Sequence, residues 1–327
     1  MTNRTLVAFS TVLAVACLAA PALAGQPASA GRAPEGSPAP RTPWGAPDLQ
    51  GVWSHATVTP LERPERHEGR EFLTAEEVAE ANIQATTFAS SERRAELSPE
   101  RDVGLAYNQF WWDRGLSDGR TSLIVDPPDG RIPPRTPEAE ARAEARRAAA
   151  RPRALSENPE DRGLWERCLS RGTVRLGGAY NNNLQIFQTE DVVAILLEMV
   201  HETRIIPLDT GAGPAHAPPQ WLGRSHARWE GDTLVIETDG FSGQAPWRGS
   251  GEDLQLVERF SRLDANTLRY EVTFRDPTTW EREWTAALDM PKTQGLMYEY
   301  ACHERNYGME NLLRGARVQE MEAAEAK

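Results

Sequence analysis

Cysteine, histidine and long apolar runs are scarce in this chain of 327 residues, and each scarcity excludes a class of protein. It has three cysteines and six histidines. No segment reaches the roughly 20 consecutive apolar residues of a membrane-spanning helix, so a polytopic membrane protein is excluded. Basic residues are also outnumbered, with 36 Lys and Arg against 48 Asp and Glu and a formal net charge of −12. We therefore predict no nucleic-acid partner, because phosphate binding requires a positive surface.

Motifs that bind nucleotides or metals are missing too. The sequence contains neither a Walker loop nor the Gly-x-Gly-x-x-Gly turn of dinucleotide-binding folds, and no two histidines have the close spacing of a metal site. We therefore predict no cofactor and no bound metal. A metal held by the distant His201, His216 and His303 stays open as an alternative.

The first residues have the pattern of a secretory signal. A positive start through Arg4, an apolar run over residues 6–18 and a small-x-small site ending at Ala24 predict cleavage near Ala24 and a periplasmic or secreted protein. The alternative is a lipoprotein acylated at Cys17. The organisation predicted for the whole chain is a signal peptide (1–24), a disordered Pro/Ala/Gly-rich leader (25–47), one domain (48–315) and a charged tail (316–327).

After cleavage two cysteines remain, Cys168 and Cys302. An exported chain meets an oxidising compartment, so these two cysteines are predicted to form a disulfide. Two alternatives stay open: a pair of buried free thiols, or a reactive cysteine beside His303.

The second half of the chain has the pattern of consecutive β-hairpins. Short segments rich in Val, Ile and Leu alternate with turn residues, and the predicted strands are 121–126, 184–189, 192–200, 204–208, 254–263, 267–274, 280–288 and 296–302. Residues 228–237 are predicted to form a hairpin that turns at Gly231-Asp232. We predict a mainly β fold, an antiparallel meander that closes into a lipocalin-like barrel. Helices at 74–97, which begins with a capping box, and at 136–150 are expected outside the sheet.

Several segments resemble a large family of exported bacterial proteins. They are RTSLIVDPPDGRIPP (120–134), YNNN (180–183), WEGDTL (229–234) and YEYACHE (298–304). The resemblance spans most of residues 51–315 and implies export. In addition, Gly51-Val52-Trp53 is similar to the glycine-x-tryptophan opening of lipocalin-type barrels.

Candidate site residues come from the polar and aromatic groups expected at the mouth of such a barrel, where ligand sites concentrate. His201 and His303 offer imidazoles for acid-base chemistry, while Tyr180 and Asp113 offer a phenol and a carboxylate. These four are the catalytic candidates. The ligand-binding candidates, which offer an amide, a stacking surface and a cation, are Asn182, Trp111 and Arg114.

Two functions from different classes fit these residues. The first is an exported protein that binds a small hydrophobic or aromatic molecule in a β-barrel. The second is a cofactor-independent periplasmic lyase, isomerase or hydratase that uses histidine as a general acid-base. Each hydroxyl, amide or imidazole group in the set is also of a kind that serves ordinary structural roles. One cavity lined by all of these residues would therefore favour the enzyme, and scattered positions would favour binding or a structural role.

Overall fold

A computed structural model shows the arrangement of most of the chain. It describes residues 40–88, 90–105, 109–150, 158–208, 218–243, 247–304 and 306–325. The predicted signal peptide and residues 25–39 of the predicted leader lie outside the described residues. Within the described part, ordered contacts begin earlier than the expected residue 48, because Thr42 is buried and Arg41 pairs with Pro47.

The strands form two antiparallel sheets. The first has the order β1-β3-β4-β5 and the second the order β2-β10-β9-β8-β7-β6. The strands are β1 (Gly51–Ser54), β2 (Ile124–Asp126), β3 (Asn183–Gln188), β4 (Val192–Leu197), β5 (Glu202–Pro207), β6 (Arg224–Glu230), β7 (Thr233–Asp239), β8 (Gln255–Arg262), β9 (Thr267–Arg275) and β10 (Trp284–Pro291). The prediction of a mainly β, antiparallel fold is confirmed.

Turn chemistry and alternation explain the second sheet. Gly231 has φ of 61° and forms a two-residue turn with Asp232, so that Glu230 pairs with Thr233 across β6 and β7. Every second residue of β9 is buried, because successive side chains of a strand point to opposite faces. The same period places the apolar residues of β8 and β10 on the core side.

The two sheets meet along both of their edges but do not close into one ladder. At one seam Leu208, just after β5, makes a single parallel bridge to Ala227 of β6. At the other, Trp53 bridges Lys292 and Thr293 N donates to Val52 O over 2.9 Å. One hydrophobic core contains residues of both sheets. The described strands therefore form a ring with two seams, and the predicted closed barrel is not seen in them.

The strands do not form one closed ladder because of the connection from β5 to β6. Neighbouring strands that run parallel cannot be joined by a tight hairpin, and a longer segment is needed to bring the chain back. Strand β5 ends at Pro207 and β6 begins only at Arg224, so no tight turn joins them. The meander pattern is therefore interrupted at this place.

Five helices lie in the described part of the chain. They are α1 (Ala75–Thr87), α2 (Ser91–Ala95), α3 (Pro99–Gly104), α4 (Pro137–Ala150) and α5 (Tyr307–Glu325). The predicted capping box is present, since Glu77 N donates to Thr74 Oγ1 and Thr74 N donates to Glu77 Oε2. The single helix predicted at 74–97 is instead two helices, because the Ser90 hydroxyl caps a new one. The helix predicted at 136–150 is α4.

Two boundaries near the C-terminus differ from the expectation. Residues 296–302 were predicted as a strand but form none, and Tyr298 is exposed with nothing to pair against. Helix α5 runs continuously across the boundary predicted at residue 315, because the residues on both sides of it are mostly good helix formers.

A buried ion pair joins the two sheets. Arg204 of β5 donates to both carboxylate oxygens of Glu258 of β8, with N–O distances of 3.0 and 2.6 Å. Burial lowers the pKa of the Arg204 guanidinium, but the charge of Glu258 outweighs this and the net shift is upward. The Tyr270 hydroxyl also donates to Glu258 over 2.9 Å, and burial together with the Glu258 charge raises the pKa of Tyr270 well above its usual range. The Arg204 guanidinium therefore keeps its charge inside the core.

Removing one partner of this pair is predicted to destabilise the fold strongly. Glu258→Gln leaves the Arg204 charge buried without a counterion, and we expect the free energy of unfolding to fall by about 3–5 kcal/mol. The matched control is Glu283→Gln, which breaks the exposed pair with Arg275 and should cost no more than about 1 kcal/mol. Urea titration of both variants measures the difference, and equal losses would contradict the prediction.

Candidate functional site

A largely apolar cavity opens beside the second sheet, and we call it the aromatic pocket. It has a volume of about 590 Å³. Its apolar lining consists of Leu164, Trp165, Val174, Trp221, Phe241, Trp247, Leu254 and Leu256. Three tryptophans and a phenylalanine surround this space, which is typical of a site for a flat or apolar ligand.

Core packing holds the inner wall of the aromatic pocket. The ring of Trp247 stacks on Phe274 of β9 at 4.3 Å between centroids and 22° between planes. Phe274 in turn stacks on Trp284 of β10 at 4.1 Å and 10°. Because Phe274 and Trp284 are fully buried, Trp247 is anchored on a rigid aromatic layer rather than on a mobile loop.

The outer wall of the aromatic pocket is the segment 163–174, and a disulfide fastens it. Cys168 is bonded to Cys302, with 5.6 Å between their Cα atoms, as predicted. The Asn306 amide, next to this bond in space, donates to Glu166 O over 3.0 Å. The chain before helix α5 therefore holds one wall of the pocket.

Removing the disulfide is predicted to loosen this wall. In the double variant Cys168→Ser and Cys302→Ser, the unfolded chain gains loop entropy, and we expect a loss of about 4–5 kcal/mol in the free energy of unfolding. The intact protein, denatured without reductant, should show neither of these two thiols in a thiol titration. Free thiols at both positions, or an unchanged urea midpoint in the double variant, would refute this prediction.

A second cavity contains part of the predicted site, and we call it the Tyr180 pocket. Its volume is also about 590 Å³. The predicted residues Trp111, Asp113 and Tyr180 all line it, and the other lining residues are Phe110, Trp112, Asn181, Asn183, Glu198 and Tyr300. Partial burial raises the pKa of the Asp113 carboxyl, although hydrogen bonds from Asn182 and Gly115 oppose the shift.

The structure does not bring the other candidates into the Tyr180 pocket. Asn182 is fully buried, and its amide donates to the backbone oxygens of Asp113 and Gly178 at 2.5 and 3.2 Å, so it supports the loop. The Arg114 guanidinium lies 4.2 Å from the centre of the Phe88 ring and lines a different hollow.

Neither predicted catalytic histidine lines the Tyr180 pocket. His201 is exposed in the turn between β4 and β5, and His303 is exposed beside the disulfide. Glu198, three residues before His201, accepts hydrogen bonds from the backbone and side chain of Asn183 at 3.0 and 2.9 Å. The four catalytic candidates therefore do not form one constellation.

The described residues offer suitable geometry neither for the alternative metal site nor for a nucleophilic serine. His216 lies outside the described residues, and in the described part no three His, Cys, Asp or Glu side chains are placed to hold a metal ion. Residues 115–119 read Gly-Leu-Ser-Asp-Gly, but Ser117 Oγ accepts from Gly119 N over 3.1 Å in a loop that no helix follows. The strand-to-helix turn that activates such a serine is missing there.

Sequence reasoning missed the residues of the aromatic pocket. Trp165, Trp221 and Trp247 each come from a different connecting segment, so no local spacing joins them. The available signal was weak: each tryptophan follows a proline or glycine within three residues, which marks a loop rather than a strand.

Comparison with known proteins gives no identification. The chain matches no protein-family model, no curated protein and no solved structure. Among the described residues, no helix combines the length and the apolar character that crossing a membrane requires. Function must therefore be argued from the cavities themselves.

One histidine that had no assigned role is buried close to a cation. His55 is 1% exposed, and burial together with the charge of Arg175 lowers the pKa of its imidazole to about 3. In the unfolded chain a histidine has a pKa of about 6.5. His55 is therefore neutral in the folded protein throughout the neutral range.

This difference predicts a loss of stability in acid. Below pH 6.5 the unfolded state takes up a proton that the folded state does not, so the free energy of unfolding should fall by about 1.4 kcal/mol per pH unit until the pH approaches 3. Urea titrations between pH 7 and pH 4 should give a smaller slope for His55→Gln, because one proton fewer is taken up on unfolding. His303→Gln, at an exposed histidine, serves as the control and should keep the wild-type slope. Identical slopes in all three proteins would contradict a neutral His55.

Proposed function

We propose that this protein binds a small hydrophobic or aromatic molecule in the aromatic pocket. The observation that carries the proposal is a cavity of about 590 Å³ with three tryptophans and a phenylalanine in its wall. This volume lies inside the usual range for small-molecule sites, roughly 300–1,000 Å³. The inner wall is fixed by stacking and the outer wall by the disulfide, so little order has to be gained on binding.

We further propose that the two sheets act together as a lipocalin-like body around this pocket. The single core shared by both sheets and the two seams at their edges support this view. We also propose export, to the periplasm or the outside, and membership in the family of exported proteins that the sequence motifs resemble. A disulfide in the folded chain fits an oxidising compartment.

The second candidate function is acid-base catalysis in the Tyr180 pocket. Asp113 supports it, because partial burial raises the pKa of its carboxyl and favours a group that exchanges protons nearer neutral pH. The original histidine-based version has less support, since His201 and His303 lie outside that pocket. We therefore rank ligand binding in the aromatic pocket first.

The two candidate functions place the ligand beside different tryptophans. We expect the uncharged fluorophore N-phenyl-1-naphthylamine to brighten on binding to the wild type, and Trp221→Ala to weaken binding about fivefold to a hundredfold through loss of a stacking wall. Trp111→Ala removes a tryptophan that is 60% exposed in the Tyr180 pocket and should leave the affinity unchanged. Thermal unfolding checks that both variants fold. The reverse pattern would move the site to the Tyr180 pocket, and no binding by the wild type would refute the proposal.

A further inference from the structure

The aromatic pocket contains one polar group that its neighbours do not use. Four charged or hydroxyl-bearing side chains line it: Glu166, Ser170, Arg171 and Thr173.

Three of these side chains already have protein partners. Glu166 accepts hydrogen bonds from the Arg162 guanidinium and from Gly163 N. Ser170 Oγ donates to a Glu202 oxygen over 3.1 Å, and Thr173 Oγ1 donates to Leu222 O over 3.0 Å. Their hydrogen-bonding capacity is therefore largely committed to holding the wall.

Arg171 differs from them. Its guanidinium lies 4.2 Å from the centre of the Trp165 ring, a cation-π contact that fixes its position without neutralising its charge. Its Nε is buried and has no hydrogen-bond partner, and among the described residues no carboxylate lies within 4.0 Å of the guanidinium. A buried donor of this kind is costly to leave unpaired.

The surroundings of Arg171 add to the positive charge. Arg175 lies near enough that burial and the charge of Arg171 lower its pKa to about 10, with Glu202 acting in the opposite direction. Its Nε is likewise buried without a partner. Glu202 faces the charges of Arg204 and Arg175, and it already accepts a hydrogen bond from Ser170.

We infer that the ligand of the aromatic pocket carries a carboxylate, which Arg171 binds while the tryptophans contact the apolar part of the same molecule. This inference rests on the proposed function and narrows its ligand class to aromatic or apolar carboxylic acids. Arginine suits the role because its planar fork of N–H groups matches the two oxygens of a carboxylate. Stacking on Trp165 holds that fork in place before the ligand arrives.

The test compares two probes that share one ring system and carry either a carboxylate or an uncharged amide. Isothermal titration of the wild type with 2-naphthoate and with the uncharged 2-naphthamide should show about 10- to 100-fold tighter binding of the acid, the usual effect of a hydrogen bond between charged groups. In Arg171→Gln the preference should disappear because naphthoate loses affinity and naphthamide does not. Arg171→Lys keeps the charge but not the fork, so it should retain part of the preference.

The matched control is Arg248→Gln. Arg248 lies 5.4 Å from the centre of the Trp247 ring, but it is exposed and does not line the pocket, so its replacement should leave both affinities unchanged. Equal binding of the two probes by the wild type, or a preference that survives in Arg171→Gln, would overturn the inference and leave the proposed function standing. Failure of both probes to bind the wild type would overturn both.

Discussion

The ion pair between Arg204 and Glu258 is the interaction on which the arrangement of the two sheets depends. Arg204 belongs to the first sheet and Glu258 to the second, and both side chains are almost completely removed from solvent. Two bare charges inside a core would cost several kcal/mol each, so they are tolerated only while each finds the other and the adjacent hydroxyls. Arg204 also donates to Ser225 and Thr238 at 2.9 and 3.1 Å. Any shift of one sheet against the other would separate these groups.

This constraint has a direct bearing on the pocket. The seams between the sheets contain only isolated bridges, so backbone pairing alone fixes their relative position weakly. The ion pair adds a directional contact near the β5 and β6 seam, and the shared hydrophobic core adds the bulk of the stabilisation. The aromatic layer of Phe274 and Trp284 then has a stable platform from which Trp247 faces the cavity.

Local features of the sequence predicted local structure well. The turn at Gly231 and Asp232, the capping box at Thr74 and the alternation in β9 each depend on a few neighbouring residues. The interruption between β5 and β6 and the irregular course of residues 296–302 depend on packing between distant segments, which period and propensity do not report. Of the candidate site residues, Trp111, Asp113 and Tyr180 line one pocket in the structure. His201 and His303 do not line it.

The aromatic pocket was not predicted, because its residues come from distant parts of the sequence. Trp165, Trp221 and Trp247 are each separated in sequence by 20 or more residues and meet only through the fold. The unpartnered state of Arg171 is a property of its surroundings, and 36 basic residues in the chain offered no reason to select it. The disulfide was predictable because the number of cysteines left a single possible pair.

That bond also changes the topology of the polymer. Cys168 and Cys302 are 134 positions apart, and strands β3 to β10 all lie between them, so the oxidised chain is a covalent ring with two tails. One tail contributes β1 and β2, which attach to ring strands β3 and β10 by hydrogen bonds and core packing. A single backbone cut inside the ring leaves one covalently connected molecule. A cut in helix α4 instead separates the tail with β1 and β2 from the ring, and only non-covalent contacts then retain it.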